Sequence, residues 1–467
     1  MRLSRRDFLR RSSCSALGAA ALASGIDRFG LVQAFAQGTS YKALVCVFLG
    51  GGNDGNNMVV PLGAGYGDYS AVRTTASGLA IAEGSLLPIT PKSLGTPFGL
   101  HPSLAAVHPL FDDGKLAILS NVGPLIQPTS KQDYLSNAPR PYQLFSHSDQ
   151  IAQWQTSVST RVSPTGWGGG IADTFPPNPS GYPLITALAG GVFTRGQVTS
   201  PLTVAPANTA LNQLLVLNGF GTTADEQARR NAMNYLRSID RGSLLVDASS
   251  KITQQALDLG AGFNVDPMLN TVFPNPPNGT PLGNQLKQVA KLIKFNLGTG
   301  APALARQIFF CSLGGFDTHQ NQVNTQTTLL TQVGNALKAF YDATVELQVE
   351  SQVTTFTLSD FGRTFQPAGT ANVVGSDHAW GNHHLIIGGS VLGGDFYGVP
   401  GVSDTVFPTL RLGGPDDTDT RGRWIPTTSV DQYGATLARW FGVDETKIDT
   451  VFPQLKNFSV RDLRFML

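Results

Sequence analysis

Residues 375–384 read GSDHAWGNHH and hold three of the chain's seven histidines, with Asp377 beside them. Imidazole and carboxylate together suit a borderline divalent ion such as zinc or manganese, with calcium or magnesium as harder alternatives. Comparable residues stand at the ends of apolar runs elsewhere. Asp54 follows ALVCVFLGGGN, Asp317 and His319 follow IFFCSLGGF, and Asp360 follows VTTFTLS. An Asp-x-His pair can chelate from a loop, whereas on a helix the two side chains would point apart. Any one of these residues is commonly a helix cap or a turn residue. Their recurrence after three separate runs points to a metal site of Asp54, Asp317, His319, Asp360 and His378, holding one ion or two. Gly375 and Gly381 let the histidine segment fold back, so His378 is expected to reach the Asp317/His319 cluster. His383 and His384 begin a further run, where successive side chains face opposite ways, so both cannot serve one site.

Such a cluster needs elements that bring distant residues to one edge. The apolar runs 43–49, 116–119, 308–311 and 353–358 are continuous rather than alternating, which predicts a mostly parallel sheet covered by helices on both faces. Residues 324–350 have helical periodicity and lead straight into the 353–358 run, the pattern of a crossover in an α/β fold. In open sheets of this kind ligands bind where loops leave the carboxyl ends of strands. About 225–300 reads as a helical insertion or cap, 429–441 as a helix packed on the core, and 274–281 and 176–183 as exposed loops.

The chain opens MRLSRRDFLRRSSCSALGAAALASG, with a twin-arginine export motif at Ser4–Arg10, a modest apolar run and a small-x-small cleavage site at Ala34-Phe35-Ala36. The expected organisation is a signal peptide at 1–36 and a single α/β domain at 37–467. Export would be in folded form through the twin-arginine translocase to the periplasm or beyond, with no membrane span in the mature chain. The signal accounts for six of the 33 basic residues and two of the 32 acidic ones, leaving a net charge of −3. That balance gives no electrostatic reason to expect nucleic acid or acidic lipid as a partner. Charged residues are only 14% of the chain and glycines number 52, the composition of a sparsely charged, loop-rich protein. Cys46 and Cys311 each sit in an apolar run and read as buried thiols.

The signal together with FLGGGNDGNNMVVP, LFSHSDQIAQWQT, LGGFDTHQNQ, LSDFGRTF, GSDHAWGNHHLIIGGSVLGG and SVDQYGATLARWFGV resembles an exported bacterial family, domain of unknown function 1501. That family is grouped with the alkaline phosphatase and sulfatase superfamily. The resemblance covers essentially the whole mature chain. It implies a large sheet between helices with Asp54 and Asp360 at one metal position, and Asp317, His319 and His378 at another. This chain departs from the superfamily pattern by following Asp360 with Phe361 in place of a His or Asn ligand. An alternative set is Asp377 and His378 with His383 or His384. The superfamily's nucleophile stands at a helix N-terminus, where dipole and metal favour the alkoxide. Ser146 or Ser148 of FSHSD holds that place here, with a helix-cap role as the other reading. Arg363 is placed to grip an anionic oxygen or to form a structural ion pair. Two functions follow as expectations. One is an exported metal-dependent hydrolase of small phosphate or sulfate esters. The other is a non-catalytic envelope binding or assembly protein that retains the fold.

Overall fold

The computed structural model describes residues 41–467 apart from 179, 215–218, 240–242, 275–278, 299–302, 370–372 and 403. The expected signal peptide, its cleavage site and part of the 274–281 loop lie outside the described residues.

The strands are β1 (Lys42–Leu49), β2 (Val59–Pro61), β3 (Leu87–Ile89), β4 (Phe98–Leu100), β5 (Leu116–Gly123), β6 (Ile185–Ala187), β7 (Leu202–Thr203), β8 (Arg306–Leu313), β9 (Val353–Ser359), β10 (Asn382–Gly388), β11 (Phe396–Tyr397) and β12 (Thr428–Ser429). Among the described residues a nine-stranded sheet runs in the order β11-β5-β10-β9-β1-β8-β6-β7, with β12 also on β5. Strands β2, β4 and β3 form a separate small antiparallel sheet.

β1 lies at the heart of the large sheet, parallel to β8 on one side and β9 on the other. Its period-2 alternation supplies both faces. Val45, Val47 and Leu49 join one core, and Leu44, Cys46 and Phe48 join the other. The first core is covered by α7 (Pro281–Leu297) and α8 (Gln322–Glu346), the second by α3 (His147–Thr156), α4 (Trp167–Asp173) and α9 (Val430–Phe441). Both cysteines are buried and free, Cys46 toward one core and Cys311 toward the other.

The sheet is mixed, which corrects the expectation of a mostly parallel one. β10 runs antiparallel to both of its neighbours, β9 and β5. The physical reason lies in the connection. The described residues of 360–381 contain no crossover helix, and without one the chain does not return to the starting edge, so the next paired strand runs backward. By contrast β8 and β9 are joined through α8 and are parallel to the same central strand.

The 225–300 region holds helices of two kinds. α7 buries Leu282, Leu286, Val289 and Ile293 and packs on β8 and α8 as a layer of the core. α5 (Ala224–Ser238) and α6 (Leu244–Gly262) bury no residue at all.

Candidate metal centre

Because β1 aligns Leu49 with both Leu313 and Ser359, the loops that leave these three strands start side by side. Gly51 makes the closest crossing. Its φ is +115°, and a Cβ there would sit 2.4 Å from the Asp317 backbone nitrogen. Only glycine is free both of that clash and of the left-handed strain. The Gly51 N–H donates to Asp360 Oδ1 at 3.0 Å, tying the β1 loop to the β9 loop.

The described arms of the 360–381 connection pair antiparallel with each other and lie back over the strand ends. Arg363 and His378 form an antiparallel bridge, and the Ser376 N–H donates to the Thr318 carbonyl. Gly375 presses against the backbone of Thr318 and His319, where a side chain would meet atoms at 2.2 Å. His378 is thereby carried to Asp317 and His319.

A third imidazole arrives from the far side of the chain. His147 is the first residue of α3, and Phe145 just before it has a φ of +71°, uncommon for a residue with a side chain. That turn aims the Phe145 carbonyl at His378 and turns His147 onto the rim. Arg423 stacks on the Phe145 ring at 4.6 Å and donates through Nε to the His378 carbonyl, closing the turn from outside.

The three imidazoles share one design. His147 Nδ1 donates to Asp360 Oδ2 at 2.7 Å, His378 Nδ1 to the Phe145 carbonyl at 2.8 Å, and His319 Nδ1 to Asp377 Oδ1 at 3.2 Å. Those bonds assign the Nδ1–H tautomer to each ring and leave each Nε2 lone pair free. The three Nε2 atoms converge on the Asp317 carboxylate: His319 at 3.0 Å, His378 at 3.3 Å and His147 at 3.4 Å. Donor atoms of His147, Asp317 and His378 all lie within 4.8 Å of one another, a triad able to hold a metal ion.

Two observations test how well these residues fit a cation. His147 Nε2 is buried and has no hydrogen-bond partner. His319 Nε2 and His378 Nε2 stand 3.0 Å apart, where two bare lone pairs repel unless a proton or a cation lies between them. Supporting groups are buried, while Asp317 and His319 face outward. Asp360 and Arg363 have side-chain exposures of 1% and 0%, against 45% for Asp317 and 44% for His319.

The electrostatics follow from that layering. Burial favours the neutral acid of Asp317, but the Arg363 hydrogen bond and charge, with His319 and His147, hold its carboxyl below the usual range. Asp377 is depressed in the same way by Arg421 and His319 against its own burial. Burial dominates at Asp360 and pushes it up in spite of His147 and the Gly51 N–H. Burial also lowers His378.

The other sequence-derived candidates occupy definite places. Asp54 is on the same rim, but it is buried and its carboxylate is filled. Arg73 binds it through both nitrogens, Gln322 donates to it, and the Asn56 N–H of the short helix α1 (Gly55–Met58) is capped by it at 3.2 Å. Asp360 faces the cluster only through His147. Arg363 spends its guanidinium on Asp317 Oδ1 at 2.7 Å and on the carbonyls of Gly51 and Ser376. Ser146 caps α3 by position, and its Oγ donates to Asp149 at 2.6 Å, away from the cluster; Ser148 is exposed beside it. His383 and His384 are buried on opposite faces of β10. His383 stacks on Phe407 at 4.6 Å, and His384 packs on Trp154 at 4.7 Å.

His147 is the residue that the sequence reading passed over. It sits between the two serines weighed as nucleophiles, and no periodicity or spacing marks it. The usable signal was its position at a helix start, the same property that drew attention to its neighbours.

Residues 304–405 match the family model described as Protein of unknown function (DUF1501). That span runs from the residues before β8 to those after β11 and contains Asp317, His319, Asp360, Arg363 and His378. It supports the DUF1501 family for the part of the chain that builds most of the rim. No curated protein matches the chain. Among solved structures the chain is similar to Ps i-CgsB in complex with k-i-k-neocarrahexaose, at 9% identity over 89% of this chain and 77% of that one, with a TM-score of 0.34. Ps i-CgsB alone gives 10% identity, the same coverage and a TM-score of 0.33. Likeness at that level bears on neither fold nor activity.

Proposed function

We propose that this protein binds one divalent metal ion between His147, Asp317, His319 and His378 and uses it to hydrolyse small anionic esters of the phosphate or sulfate class, after export in folded form. The observation that carries the reading is the convergence of three Nε2 atoms on the Asp317 carboxylate, each ring held at Nδ1 by its own acceptor. Three nitrogens and one oxygen suit zinc or manganese better than calcium or magnesium, which prefer shells of oxygen. One ion is favoured over two because Asp54 and Asp360 give their carboxylates to Arg73 and His147.

When bound, such an ion polarises an ester oxygen and eases ionisation of a nucleophile beside it. The chain's own residues supply the rest. Asp360, Asp377 and the Phe145 carbonyl keep the three rings in the donor tautomer and fix their planes. Arg363 keeps Asp317 ionised and prevents it from rotating away. Ser146 is turned to Asp149, so this reading takes the attacking oxygen from solvent and gives Ser146 no part in the chemistry.

The second reading, an envelope binding or assembly protein with a structural ion, is favoured by the donor count, since four protein donors complete a tetrahedral shell. The openness of Asp317 and His319 favours the hydrolase. Metal analysis of the purified mature protein, with a panel of phosphate and sulfate esters, separates the two. One ion per chain lost in His147→Ala, with ester turnover that follows the metal and survives Ser146→Ala, supports the hydrolase. A stoichiometric ion without turnover supports the second reading, and absence of any bound divalent ion sinks both.

A further inference from the structure

α5 and α6 bury none of their residues, yet α6 carries some of the most exposed large apolar side chains among the described residues, Leu245 at 83% and Ile252 at 65%. Helices of this length are marginal in water without tertiary cover, so such a surface requires a partner. The sequence of α6, LLVDASSKITQQALDLGAG, indicates which one. Its apolar stripe is Leu245, Ala248, Ile252, Ala256 and Leu259, and the steps between them are three, four, four and three residues. The stripe reads the same in both directions about Ile252. At 3.6 residues per turn all five lie on one face. Ser250 and Gln254 lie on the opposite face, where Arg237 of α5 donates to the Ser250 carbonyl at 3.3 Å and to Gln254 Oε1 at 2.6 Å. The neighbouring helix therefore holds α6 from behind, and the stripe faces away from it, with Leu245, Ala248 and Ile252 exposed and Ala256 and Leu259 half-exposed.

We propose that α6 is a self-association face that pairs antiparallel with α6 of a second copy across a two-fold axis at Ile252. Rotation about that axis sets Ile252 against Ile252 of the partner subunit and Leu245 against Leu259 of the partner subunit. The small residues Ala248 and Ala256 come opposite each other and let the helix backbones approach closely. A two-fold interface must be complementary to itself, and a stripe that is its own reverse meets that condition. Leucine at the ends, alanine between and one central isoleucine give the alternation of knobs and holes that helix pairs use. The inference is independent of the metal centre.

Sedimentation velocity and chemical cross-linking on the full chain test the proposal. The protein is expected to sediment as a dimer, and Ile252→Asp to halve that mass while leaving metal content and far-UV circular dichroism unchanged, since Ile252 is exposed and the hydrogen bonds of α6 run to Arg237 and Tyr182 rather than to the rim. In a Cys14→Ser background, Ile252→Cys is expected to form an intermolecular disulfide on mild oxidation. Gln254→Cys on the opposite face is expected to form none, and Cys46 and Cys311 are buried and contribute no background. A monomeric wild type, a dimer that survives Ile252→Asp, or equal cross-linking at 252 and 254 overturns the proposal.

Discussion

Asp360 and Asp54 follow apolar strands in the same way and end in different employment, and a single substitution at each distinguishes the two. Asp360 is buried and accepts from His147 Nδ1, so Asp360→Asn keeps the shape and removes the charge that orients the ring. Loss of such a supporting carboxylate is expected to lower metal affinity by roughly 10- to 100-fold. Competition with a chelator of known affinity measures it, and an unchanged constant would show that His147 needs no such anchor. Asp54 is instead half of a buried ion pair with Arg73, whose side-chain exposures are 1% and 0%. Arg73→Ala leaves a carboxylate uncompensated inside the protein and is expected to cost about 3–5 kcal/mol of stability, read from the urea midpoint. Metal affinity in the surviving folded protein should fall far less than in the Asp360 variant. A comparable loss of affinity would make Asp54 a participant in the centre.

The elements that meet at the rim do so through backbone contacts with no room for a side chain. Gly51 brings the β1 loop against Asp317, and Gly375 brings the 360–381 connection against His319. Gly51→Ala combines a positive φ with a Cβ 2.4 Å from the Asp317 nitrogen, so the β8 loop must move to admit it. The expected result is a drop in metal affinity of at least about 10-fold, the cost usual for a misplaced ligand shell, with the far-UV spectrum retained. Isothermal titration with zinc and manganese checks it, and wild-type affinity would mean that the loops are looser than their packing implies. The turn at Phe145 is the corresponding device on the α3 side, since it sets both the carbonyl that holds His378 and the start of the helix that carries His147.

Across the whole molecule, acid acts chiefly through groups outside the centre. Burial lowers His383 and His384 to about 3 and His101 to about 4. In the unfolded chain these rings take up protons near pH 6.5, so as pH falls below that value the unfolded state binds protons that the fold refuses, and stability declines. Asp431 works the other way. Burial raises it to about 7, so the fold keeps a proton that the unfolded chain releases near pH 4, and stability is lost as pH rises across that interval. The three histidines outweigh the one aspartate, and the net expectation is weaker folding at pH 5 than at pH 7, by about 1.4 kcal/mol per pH unit for each net proton. Asp431→Asn should steepen the decline and raise stability at pH 8. Denaturant midpoints across pH 5–8 test this, and a flat profile in the wild type would contradict it.

The sequence by itself determined what local pattern can carry. Runs of apolar residues marked β1, β5, β8 and β9, helical periodicity marked α8 and α9, and the residue types at the strand ends pointed to cation chemistry with Asp317 beside His319. Tertiary structure decided the rest. The direction of β10 depended on whether residues 360–381 would form a crossover, which no single residue announces. Asp54 and Asp360 have equivalent settings in the sequence, and Arg73 with Gln322, brought to Asp54 by the fold, separates a filled carboxylate from one that holds a ring. His147 belongs to a helix whose partners lie 170 and more residues away, and it reaches Asp317 and Asp360 because one left-handed residue turns the chain. Long-range contacts of that kind arise from packing, and packing is a property of the assembled chain.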